Sequence, residues 1–63
     1  MFVTMKNVAD SRGLYMELAR YNLNVTDLGT EVLVYGDVYD VANVLAICRK
    51  WGDIIEQTQK EET

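Results

Sequence analysis

The sequence predicts an α+β fold, with one four-stranded antiparallel sheet and two helices on one of its faces. Three observations carry that expectation. Two runs rich in β-branched and aromatic residues, MFVTMK at 1–6 and TEVLVYG at 30–36, have strand character, the second most strongly. Two other stretches repeat apolar residues at helical spacing, each behind an Asn or Asp suited to an N-cap. The pieces succeed one another as strand, helix, strand, strand, helix, strand within 63 residues that include no proline.

In MFVTMK, Phe2 and Thr4 share one face and Val3 and Met5 the other. Asn7 is the expected N-cap of the first helix, with Asp10 in a first turn where the dipole favours negative charge. That helix should run to about Asn22. Its apolar face is Leu14, Leu18 and Tyr21, with Arg12, Met16, Glu17 and Arg20 opposite. Gly13 weakens it by about 1 kcal/mol relative to alanine. LNVTDL at 23–28 alternates apolar and polar residues, as a strand with one wet face does. Leu28 and Gly29 then turn the chain into Val32 to Tyr35, a run that suits a central strand covered on both faces.

Gly36 ends that strand, and Asp37 is the expected cap of a second helix reaching about Lys50, with Asp40 in its first turn. Val38, Val41, Leu45 and Cys48 mark its core stripe, flanked by Ala42, Val44 and Trp51. Arg49 and Lys50 complement the negative end of the dipole, and Gly52 is placed to close the helix. Asp53 to about Gln59 should form a final edge strand, and a polar tail should fray over about 60–63.

With right-handed crossovers this order gives the ferredoxin-like βαββαβ sandwich, strand order 4-1-3-2, over a single small domain at 1–63. That topology places the third and most apolar strand centrally. A domain this small buries only about 60% of the surface its unfolded chain exposes. Its net stability is therefore roughly 3–9 kcal/mol. Chains of this size are commonly reinforced by disulfides, a metal or association. Cys48 is the only cysteine and there is no histidine, which excludes an internal disulfide and a Cys/His zinc site. Either the core is efficient, or association with a second copy or another protein contributes.

Composition narrows the function classes. Six Lys and Arg stand against ten Asp and Glu, and only Arg49 and Lys50 are adjacent, so the positive cluster expected of a phosphate-backbone binder is missing. No apolar run approaches the length of a membrane span, and MFVTMKNVADS lacks the pattern of a signal peptide. A soluble, cytoplasmic chain is expected, in keeping with one unpaired cysteine. No enzyme activity and no cofactor are expected. Cys48 has no histidine partner and falls on an apolar stripe near a helix C-terminus, where the dipole disfavours a thiolate. The aspartates of YGDVYD are too few for a calcium loop and are placed as helix caps.

Two surfaces stand out instead. If Val3, Met5, Val32 and Val34 point to the helices, then Phe2, Leu33 and Tyr35 lie on the opposite sheet face as an apolar, aromatic patch. On the outer side of the second helix, Tyr39, Asn43 and Ile47 recur at i, i+4 and i+8 as a competing contact surface. The leading expectation is a non-enzymatic protein-interaction module, self-associating or binding a larger protein as an accessory or inhibitor. A small-ligand regulatory domain at a dimer interface comes next. An RNA-binding sheet comes third, because aromatics on two central strands can stack bases but acidic Glu31 and Asp37 flank them.

Overall fold

The structure is a computed structural model that describes residues 1–58; Gln59 and the tail at 60–63 lie outside the described residues. Strand β1 (Phe2–Lys6) leads to helix α1 (Ser11–Leu18), which tightens into a 3₁₀ turn (Ala19–Tyr21). Strands β2 (Asn24–Asp27) and β3 (Val32–Tyr35) form a hairpin, followed by helix α2 (Val41–Trp51) and strand β4 (Asp53–Thr58). All pairings are antiparallel and the sheet runs β2-β3-β1-β4, which is the ferredoxin-like order 4-1-3-2.

The registers determine which residues share a face. Val3 lies opposite Val34 and Met5 opposite Val32 across the β1–β3 ladder, and all four are buried. Together with Leu14 and Leu18 of α1, Val44 and Cys48 of α2, and Leu23, they form one core cluster between the sheet and the two helices. Strand parity then turns Phe2, Thr4, Leu33 and Tyr35 to the other face.

Both helices start three residues later than their expected caps. At α1 the cap is Asp10, whose Oδ1 accepts from the backbone N–H of Arg12 at 3.1 Å and Gly13 at 3.2 Å. Asn7 instead adopts a left-handed φ of 57° and donates from its side chain to Asp53, which ends β1 beside β4. At α2 the cap is Asp40, whose Oδ1 accepts from the Asn43 N–H at 3.1 Å. Asp37 is exposed in the connection that lifts the chain from the sheet to the helix layer. In both cases an earlier Asn or Asp lies on a loop needed to change layers, and the later Asp has the cap geometry.

The later start of α2 also rotates its buried stripe. Val44 and Cys48 are fully buried, Leu45, Ile47 and Trp51 pack against the core while half-buried, and Val41, expected on the stripe, is half-buried at the start of the helix. Val38 reaches the core from the loop rather than from the helix. Gly52 closes α2 through its N–H to the Cys48 carbonyl at 3.0 Å, as expected. At Gly36, φ is 146° and an added Cβ would lie 2.9 Å from a Leu23 methyl, so both the backbone and the packing demand glycine there.

Candidate functional site

Cross-strand register assembles the open face of the sheet in rows. Phe2 of β1 faces Tyr35 of β3, which in turn faces Asn24 of β2, and Thr58 of β4 completes that row beside Phe2. The next row runs Thr26, Leu33, Thr4 and Glu56. Phe2 and Tyr35 are stacked, with ring centroids 6.2 Å apart and planes inclined by 22°. That separation lies within the range in which aromatic pairs attract. Phe2 and Tyr35 remain 42% and 37% exposed, so the stacked pair leaves area toward solvent.

The rest of the face is level with this pair. Leu33 is half-buried, and Thr4, although on the side away from the helices, is only 8% exposed. The Tyr35 hydroxyl lies 3.3 Å from the Thr26 hydroxyl, which fixes the ring across the β3–β2 ladder. Phe2, Leu33 and Tyr35, the three residues expected at this surface, are thus adjacent. Thr26, Asn24, Glu56 and Thr58 form its polar margins. The wet face of LNVTDL announced the first two, but the β4 side could not be phased from sequence. A register shift between Thr4 and Met5 sets Ile54 opposite Met5 and Glu56 opposite Thr4, and the residue between them, Ile55, is 49% exposed.

The second expected surface is not assembled as one stripe. Tyr39 is fully exposed but precedes the Asp40 cap, outside the helix. Asn43 is exposed and its side-chain amide donates to the Tyr21 hydroxyl. Ile47, expected to have no buried role, packs against the core, because the later start of α2 turns that position inward.

Burial pushes the Cys48 thiol up to about 11, with Arg49 opposing weakly, so the thiol is protonated near neutral pH. The Trp51 indole N–H donates to Glu17 Oε1 at 2.9 Å and Lys50 pairs with the same carboxylate at 3.3 Å. The indole contact, then the ammonium, holds the Glu17 carboxyl below its ordinary value. The Gly29 N–H and then the Ser11 hydroxyl do the same for Asp27 at the hairpin. Sequence spacing put Glu17 on the outer side of α1, and the signal that could have paired it is the need of a packed indole N–H for an acceptor.

Among the described residues, no three His, Cys, Asp or Glu side chains converge as a metal site, and no helix is long and apolar enough to cross a membrane. No protein-family model, curated protein or solved structure matches the chain.

Proposed function

We propose that this chain is a non-enzymatic protein-interaction module that binds through the open face of its sheet, self-associating or binding a larger protein as an accessory or inhibitor. The observation that carries this reading is the stacked Phe2–Tyr35 pair, exposed beside Leu33 on the face opposite both helices. Burying two or three such side chains contributes roughly 1.5–3 kcal/mol each before association costs. For a chain with no disulfide, covering that face is a further source of reinforcement. A cytoplasmic setting belongs to the same proposal and is supported by the free, buried Cys48.

Aromatic side chains on the two central strands also favour a second reading, base stacking by single-stranded RNA. Charge speaks against it: of the described residues on this face, Glu56 and Asp53 are acidic and Lys6 alone is basic. Sedimentation equilibrium on Leu33→Asp, Tyr35→Asp and Tyr39→Asp, with and without single-stranded RNA, separates the readings. The first two substitutions should abolish association with protein while secondary structure persists, and Tyr39→Asp should leave it intact. Loss of association in Tyr39→Asp alone would move the interface to the loop before α2. A salt-sensitive mass increase with RNA would favour the nucleic-acid reading.

A further inference from the structure

We infer that the occupant of the open face is a second copy of the chain, related by a two-fold axis that runs parallel to the strands between β1 and β3; this rests on the reading just proposed. The face is complementary to itself under that operation. Turning the row Asn24, Tyr35, Phe2, Thr58 about the axis reverses it, which brings Tyr35 over the partner's Phe2 and Asn24 over the partner's Thr58. The row Thr26, Leu33, Thr4, Glu56 reverses likewise, bringing Leu33 over the partner's Thr4 and Glu56 over the partner's Thr26. Each aromatic meets an aromatic, and each Glu56 carboxylate meets a neutral hydroxyl able to donate to it.

The competing two-fold, perpendicular to the strands, sets β4 on β4: centred on the Glu56 row it confronts that carboxylate with its own copy, and centred between the two rows it sets Phe2 on the partner's Thr4 and Tyr35 on the partner's Leu33, which parts the aromatics. Like charges brought together across an interface are strongly unfavourable. Charge and the pairing of the rings together select the first axis, which sets aromatic on aromatic with both rows in contact and keeps Glu56 away from its own copy. Four strands about 4.8 Å apart and about five residues long give a face of roughly 300 Å² per copy. Even with side-chain relief, the two copies together bury less than the roughly 1,200 Å² of a standard stable interface, so the dimer is weak and reversible.

Charge reversal tests the arrangement, read by sedimentation equilibrium over a wide concentration range with circular dichroism confirming each fold. Wild type should be in monomer–dimer equilibrium and Leu33→Asp monomeric. Thr26→Glu should weaken association by about tenfold or more, since each introduced carboxylate faces the partner's Glu56. Thr26→Glu combined with Glu56→Lys should recover wild-type association. These positions lie on opposite edges of one chain, about 14 Å apart across three strand spacings, so recovery cannot come from contact within a chain. If Thr26→Glu fails to fold, Asn24→Asp combined with Thr58→Asp should weaken association and Asn24→Asp combined with Thr58→Lys should not, which poses the same question in the neighbouring row.

A wild type that stays monomeric throughout overturns the second copy as occupant. A dimer abolished by Leu33→Asp but not recovered by the double charge reversal overturns the axis and leaves the open-face reading standing. A dimer indifferent to Leu33→Asp overturns that reading, and the inference with it.

Discussion

At the residue scale, the two aspartates of YGDVYD have different work. Asp40 satisfies the Asn43 N–H at the start of α2, whereas Asp37 is exposed in the preceding loop. Replacing the cap by alanine removes an acceptor from a helix end whose N–H groups have no intrahelical partner. Asp40→Ala should cost about 1 kcal/mol. In a domain of this size that lowers the thermal midpoint by about 4–8 °C. Asp37→Ala should stay within about 0.5 kcal/mol of wild type. Thermal denaturation of the two variants decides the assignment, and a larger effect at Asp37 would contradict it. The existence of a cap was legible from the Asp-rich stretch, but choosing between two Asp three residues apart was not. That choice depends on how many residues are needed to carry the chain from β3 to the helix layer.

At the element scale, the close contact between the helices is made where α1 has no side chain. A Cβ added at Gly13 would lie 2.6 Å from Cη2 and 2.9 Å from Cζ3 of Trp51, a ring held in place by its hydrogen bond to Glu17. Gly13 therefore exchanges about 1 kcal/mol of helix propensity for close approach of α2. Gly13→Ala should destabilise despite the better propensity, because overpacking typically costs about 1–3 kcal/mol. In a Trp51→Leu background the same substitution should turn neutral or stabilising, a sign change that a denaturant double-mutant cycle reads directly. Stabilisation in the wild-type background would mean that Trp51 yields freely. The periodicity of α1 correctly named Leu14 and Leu18 as buried. The stripe of α2 correctly included Cys48 but its centre lay away from Val44, since an error of three residues in a helix start rotates the apparent centre of a broad apolar face.

At the scale of the whole molecule, element order and hydrophobic pattern were sufficient for the topology. The uniformly apolar β3 is central, the half-polar β2 and β4 are edges, and one parity rule sends Val3, Met5, Val32 and Val34 inward. The same rule made Phe2, Leu33 and Tyr35 legible as one patch. What it could not supply was the stacking of two rings brought opposite each other by the β1–β3 register, or the bulge that sets Glu56 at the patch margin. The central claim is that this patch is where the molecule binds, and that its first partner is itself. A residue-resolved nuclear magnetic resonance dilution series tests it most directly. Resonances of Phe2, Thr4, Leu33 and Tyr35 should move together with concentration, with one dissociation constant, while those of Tyr39 and Asn43 stay fixed; shifts confined to the helices, or no shifts up to the solubility limit, would contradict the account.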